Sequence, residues 1–162
     1  MNDLLTDLQH RMRVRQIPGL SIRVAENGNN LFNCELGVSD LSSGERLEPT
    51  HLFRIGCLTK PIVAHAVLHL ASQGRLDLDD SIAIYIPKLA TRPEFCSITI
   101  GHLLSHIAGL ARGPYDAHLY SDKDTLLRIS SSQLLFVPGE HFKYSNWGYY
   151  LLGVCPTSPA QI

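Results

Sequence analysis

At 162 residues the chain is one domain's worth of protein, long enough to bury a real core. Fourteen Lys and Arg against fifteen Asp and Glu leave a formal charge of -1, a balance that gives no support for nucleic-acid or anionic-membrane binding. No apolar run approaches the length of a membrane span and the N-terminal residues lack a secretory apolar segment, so the expectation is a cytoplasmic protein.

Leu4, Leu5, Leu8 and Met12 fall at helical spacing, with Asp3, Asp7, Arg11 and Arg15 elsewhere on the wheel. The pattern predicts an amphipathic helix over about residues 3–15, stopped by Pro18-Gly19. Leu20, Ile22 and Val24 then alternate with Ser21, Arg23 and Ala25, and a second apolar stretch runs from Leu31 to Leu36. With Glu26-Asn27-Gly28-Asn29 between them, these stretches predict a β-hairpin with a short Asn/Gly turn. Gly37 to Pro49 is polar and rich in Gly, Ser and Asp, a loop with room for a short strand.

Phe53 to Lys60 opens a long apolar helical run that ends near Gly74. Val63, Ala66, Val67, Leu70 and Ala71 form a stripe expected to bury this helix and hold it rigid, with Pro61 tolerated near its start and Gly74 capping its end. Leu76 to Leu89 carries Asp77, Asp79 and Asp80, then Ile82, Ile84 and Ile86, and both a short helix and an extended segment stay open there. Thr99 is placed to cap a helix through His102, Leu103, Leu104 and His106 to Gly109, and a short helix is expected around Thr125 to Ile129. Pro138-Gly139-Glu140 turns the chain into Phe142-Lys143-Tyr144-Ser145-Asn146, after which Trp147 to Leu152 starts an apolar helix. The run Val154-Cys155-Pro156-Thr157-Ser158-Pro159 breaks that pattern, which suggests a domain over residues 1–153 and an unstructured tail over residues 154–162.

The chemistry concentrates at Cys57-Leu58-Thr59-Lys60. A spacing of three within a first helical turn puts the thiol and the ammonium on one face, within reach of each other. The unpartnered N–H groups of such a turn favour an anion, and a neighbouring cation acts in the same direction, so the residues describe a thiolate paired with a protonated lysine. Cys34, Cys57, Cys96 and Cys155 are widely scattered with no Cys-x-x-Cys pair, which indicates reduced thiols and neither a zinc site nor a disulfide framework. The pairs His65/His69 and His102/His106 have the spacing of helical metal ligands, but no Glu completes a His-Glu-x-x-His pattern, and structural histidines are favoured. Asp77, Asp79 and Asp80 lack the remaining ligands of a calcium loop.

Several segments in order extend this reading: Ile17-Pro18-Gly19-Leu20, Gly37-Val38-Ser39-Asp40, Thr50 to Lys60, Gly74 to Asp80, Leu103 to Leu110, and Pro138 to Gly153. Together they resemble the serine β-lactamase and penicillin-binding-protein superfamily, in its class C β-lactamase-related, esterase-like branch. The resemblance implies an α+β (α/β) fold of the β-lactamase/transpeptidase type, an antiparallel sheet packed with helices. It also implies a small-molecule carbonyl substrate, a β-lactam, ester or peptide-like amide, handled without cofactor or metal. Cys57, where the family has its nucleophilic serine, would accept the acyl group. Lys60 and Tyr144 would handle protons, and Asn146 would bind substrate and orient the lysine. The family's third motif, a Lys/His-Thr/Ser-Gly strand that gives an oxyanion-hole N–H, has no counterpart, so the C-terminal half of the fold is expected to be missing. The hairpin would then expose an edge and part of a bare core, which makes self-association an expectation. Two functions follow: an altered hydrolase forming an acyl-enzyme at Cys57, or an inactive truncated homologue acting as a binding fragment.

Overall fold

The computed structural model describes residues 2–114 and 121–155. The chain divides into two compact units, Met1–Arg54 and Ile55–Ile162.

The first unit opens with α1 (Asn2–Arg15), as its spacing predicts, with Met12 buried. Strands β1 (Gly19–Glu26) and β2 (Asn29–Gly37) follow, antiparallel, with Leu20 opposite Leu36 and Ile22 opposite Cys34. Asn27 and Gly28 between them both have positive φ, 50° and 81°, the paired left-handed geometry whose twist matches a two-residue hairpin. Gly37 is required where it stands: its φ is +81°, and a Cβ there would lie 2.1 Å from the Pro18 carbonyl oxygen. The polar loop beyond it contributes a single bridge, Val38 to Arg46, and the Asp40 side chain accepts the Ser42 and Ser43 N–H groups to fold the turn between them. Leu47 is buried, but Val24 and Leu31 remain 45% and 57% exposed. Among the described residues the sheet has two strands, so each strand has one edge with no further strand beside it.

The second unit is helical. A 3₁₀ turn, Gly56–Leu58, runs into α2 (Thr59–Ser72), followed by α3 (Ile82–Tyr85), a second 3₁₀ turn (Pro87–Thr91), α4 (Pro93–Cys96), α5 (Ile100–Leu104), α6 (Asp122–Ser131) and α7 (Asn146–Val154). Side-chain caps begin four of these. Ser81, Thr99, Ser121 and Ser145 accept the N–H groups of Ala83, His102, Asp124 and Gly148, and each such cap contributes roughly 1 kcal/mol. Gly74, with φ +68°, donates to the Ala71 carbonyl while Arg75 donates to Leu70, a Schellman closure of α2 at the glycine predicted for it. The core joins Val67, Ile82, Leu89, Phe95, Ile98, Ile100, Leu103, Leu110, Ile129, Leu151 and Leu152, all with essentially no exposed surface.

The segment left open between helix and strand is therefore helical at Ile82–Tyr85, set by the Ser81 cap and by burial of Ile82 and Tyr85. The helix capped by Thr99 ends at Leu104, short of Gly109, because His106 takes a left-handed conformation with φ 60°. The stripe on α2 is narrower than expected. Val67 is buried, Val63, Leu70 and Ala71 are half-buried, and Ala66 is exposed together with Ile62 and Leu68. The helix is apolar around most of its circumference, and within its unit it packs on α7 and the preceding 3₁₀ turn, which cover one side. At the other end, Val154 completes α7 and Cys155 is buried at its C-cap with helical φ and ψ. Val154 lies two residues before Pro156, and α7 runs through it, past the expected boundary at 153. Residues 156–162 of the expected tail lie outside the described residues. Among the described residues no helix is long and apolar enough to cross a membrane.

Candidate active site

All four residues singled out from the sequence meet within the helical unit. Cys57 lies in the 3₁₀ turn and Lys60 one turn later in α2. The Lys60 ammonium donates to Cys57 Sγ at 3.6 Å and to Asn146 Oδ1 at 2.9 Å, which ties the start of α2 to the start of α7. The same Nζ stands 4.8 Å from the Tyr144 ring centroid and 5.6 Å from that of Tyr149, so two aromatic faces help hold the cation.

This surrounding lowers the Cys57 thiol below the ordinary cysteine value. The Tyr144 hydroxyl is the largest cause; burial, next in size, opposes it, and the charge and hydrogen bond of Lys60 and the charge of Arg112 lower the thiol further. Hydrogen bonds and cations that favour the charged form make a thiolate more accessible at neutral pH. Cys57 is exposed, Lys60, Tyr144 and Asn146 half-buried. A cavity of about 250 Å³ is lined by Arg112, Lys143 and Tyr144.

The Tyr144 segment is fixed by a strand-like contact with residues 106–112. Lys143 N–H donates to the His106 carbonyl at 2.8 Å, Ser145 N–H to His106 Nδ1 at 3.2 Å, and Asn146 N–H to the Arg112 carbonyl at 2.7 Å. Ser145 Oγ donates to the Ala111 carbonyl at 2.7 Å while accepting the Gly148 N–H, so one hydroxyl caps α7 and anchors it. The His106 ring lies 4.6 Å from the Tyr144 ring and 5.0 Å from the Tyr149 ring. Burial, reinforced by the Lys60 charge, lowers the His106 pKa and keeps the imidazole neutral, as accepting the Ser145 N–H requires. Gly109 lets a different segment, around Phe136, approach the same loop: φ is +75°, and a Cβ would meet the Phe136 carbonyl oxygen at 2.3 Å.

Among the other candidate ligands, His69, His102, Asp77, Asp79 and Asp80 have structural partners. His102 Nδ1 accepts the Thr99 N–H in a capping box, and His69 Nε2 lies 3.0 Å from Gln73 Nε2. Asp80 accepts the Tyr85 hydroxyl and the Asp77 N–H, and Asp77 accepts the Asp79 N–H, which folds the acidic run into a turn. Sequence reasoning missed Arg112, which carries no periodic signal, and it read His106 as structural without its contact to Tyr144.

A family model described as Beta-lactamase matches residues 6–155. Among curated proteins, the chain is 31% identical over 156 residues to Protein flp of Staphylococcus aureus (strain MW2), covering 92% of this chain and 31% of that protein. It is 34% identical over 153 residues to Esterase EstB of Burkholderia gladioli, covering 83% of this chain and 39% of that one. Among solved structures, a class C beta lactamase superposes with a TM-score of 0.79 at 27% identity, covering 97% of this chain and 44% of that chain. The octameric penicillin-binding protein homologue from Pyrococcus abyssi does so with a TM-score of 0.82 at 27% identity, covering 97% and 38%. The chain thus spans well under half the length of each of these relatives.

Proposed function

The chain belongs to the Beta-lactamase family and has its hydrolase-like α+β fold, and from that premise we propose that it transfers acyl groups through a thioester at Cys57. The observation that carries the reading is the gathering of Cys57, Tyr144 and Asn146 around one ammonium: Lys60 Nζ lies 3.6 Å from Cys57 Sγ, 2.9 Å from Asn146 Oδ1 and 4.8 Å from the Tyr144 ring centroid. Cys57 Sγ attacks a β-lactam, ester or amide carbonyl. Tyr144 or Lys60 delivers a proton to the leaving group, and Asn146, already bonded to Lys60, receives the substrate's amide side. In the second half, water attacks the thioester and the same two groups take its proton. A thiolate needs less help from a base than a serine hydroxyl does, so Lys60 serves here chiefly as an electrostatic partner.

The test is to incubate the folded protein with a penicillin and, separately, with a nitrophenyl ester, and to measure intact mass followed by peptide mapping. An acyl adduct on Cys57 is expected; unmodified, well-folded protein would overturn the reading. A binding fragment that forms no acyl intermediate is the second reading, favoured by the openness of the site, where Cys57 is exposed. Cys57→Ser separates the two, since hydrolysis by the serine variant alone would identify a pocket that is complete but mismatched to sulfur. The bare edges of β1 and β2 support self-association by strand pairing, which sedimentation at rising protein concentration measures.

A further inference from the structure

We propose that Cys57 is a site of reversible oxidation by hydrogen peroxide, with Lys60 and Tyr144 supplying the proton that the departing hydroxide requires. The proposal is independent of acyl transfer: it needs the sulfur and its neighbours and no carbonyl substrate.

Oxidation of a thiol by a peroxide has three requirements: an accessible sulfur, a thiolate lone pair and a donor near the leaving oxygen. Cys57 has all three. Its residue is exposed, Lys60 Nζ donates to Sγ at 3.6 Å, and the Tyr144 ring centroid lies 4.8 Å from that Nζ. Arg112 adds positive charge toward the thiolate, and the exposure of Cys57 leaves room for a molecule the size of a peroxide.

The step balances within this cluster. Sulfur attacks one peroxide oxygen, the S–O bond forms and the O–O bond breaks. Sulfur loses two electrons and peroxide gains them. Hydroxide leaves and takes a proton from the Lys60 ammonium or the Tyr144 hydroxyl to become water. The sulfenic acid then returns its proton to that group, leaving a sulfenate beside the Lys60 ammonium. The net change is thiolate plus hydrogen peroxide giving sulfenate plus water.

The other three cysteines provide an internal control. Cys155 is buried at the end of α7, and its burial pushes the thiol up to about 12. Cys96 is exposed like Cys57, but its Sγ donates to the Arg92 carbonyl at 3.7 Å and the Ala90 carbonyl at 3.9 Å. Cys34 is half-buried in β2 opposite Ile22. Exposure alone does not separate Cys57 from Cys96; the donors around the sulfur do.

The experiment exposes the full chain to hydrogen peroxide at neutral pH with dimedone present as the sulfenic-acid trap, and quantifies labelled peptides over time. Labelling of Cys57 about tenfold or more faster than Cys96 is expected, reversed by dithiothreitol when the trap is omitted. Lys60→Met and Tyr144→Phe, each checked for native near-ultraviolet dichroism, are expected to slow Cys57 labelling about threefold or more and to leave Cys96 unchanged. If one variant does not fold, the other decides. Equal rates at Cys57 and Cys96, or an unchanged Cys57 rate in the folded variants, would overturn the proposal. Neither result bears on acyl transfer, because no acyl donor is present.

Discussion

Residues 1–54 and residues 55–162 treat their apolar side chains in opposite ways. In the first unit the hairpin has the alternation of a strand pair, yet Val24 and Leu31 stay about half exposed, and Met12 and Leu47 are its buried hydrophobics. In the second unit short helices with polar caps bury Phe95, Ile98, Ile100, Leu103, Leu151 and Leu152 completely. Alternation specifies which face of a strand is apolar but supplies nothing to cover it, whereas helices that pack on one another cover themselves. The cluster of Cys57, Lys60, Tyr144 and Asn146 belongs to the self-covering unit. Its geometry rests on α2, α5 and α7 and on the His106 contact, all within residues 55–162.

Breaking that core should therefore have the largest effect. Phe95→Ala removes a fully buried ring and is expected to cost about 3–5 kcal/mol, while Val24→Ala on the hairpin is expected to cost less than about 1 kcal/mol. Urea denaturation of the two variants measures the contrast directly. Equal losses would mean that Val24 is covered in solution, by self-association for instance, and repeating the measurement at several protein concentrations identifies that case.

A smaller effect lies at the contact between His106 and the Tyr144 segment. The folded pKa of His106 is below its unfolded value of about 6.5, so on acidification the unfolded chain takes up this proton first. The stability contributed by the neutral ring is fully present above about pH 6.5 and is lost as pH falls toward the folded value. The first interaction to fail is the Ser145 N–H bond to Nδ1, which a protonated nitrogen cannot accept. His106→Asn tolerates the left-handed backbone but removes the titration. Its stability is expected to be about 1–2 kcal/mol lower at neutral pH and to fall less steeply between pH 7 and pH 5. An identical pH slope in the variant would show that His106 does not titrate in this way.

What the sequence disclosed follows the range of the interactions involved. The Asn27-Gly28 turn, the Thr99 cap and the Gly74 closure are set by neighbours a few residues away, and each was legible. The spacing of Cys57 and Lys60 placed the pair on one face, and the resemblance placed Tyr144 and Asn146 beside them. The width of the α2 stripe was not legible, because a pattern identifies apolar residues without counting the elements available to cover them. The left-handed turn at His106 ended α5 early for a nonlocal reason: its carbonyl and its ring are both engaged by residues 143–145. Arg112 entered the site by the same contact. Of the expected tail, Val154 and Cys155 are described, and they differ from the reading because Val154 continues α7 and Cys155 is buried at its C-cap.

The smallest contrast sets one carboxylate from each unit side by side. Asp7 pairs with Arg11 one turn later on the open surface of α1, at 2.7 Å. Asp80, half-buried, accepts the Tyr85 hydroxyl at 2.5 Å and the Asp77 N–H at 2.8 Å. These bonds, the tyrosine's first, hold the Asp80 pKa below its ordinary value. The depressed folded pKa means that the Asp80 contribution is present above the unfolded value, about 3.9, and is lost as pH falls through the folded one. Asp80→Asn should then cost about 1 kcal/mol at neutral pH and flatten the acid side of the stability profile below about pH 4. Asp7→Asn should cost less than about 0.5 kcal/mol and respond mainly to salt, since solvent competes for both partners. If the surface pair proved the more costly, α1 would have to be held by more than its own turn, and the weakness assigned to the first unit would be wrong at that helix.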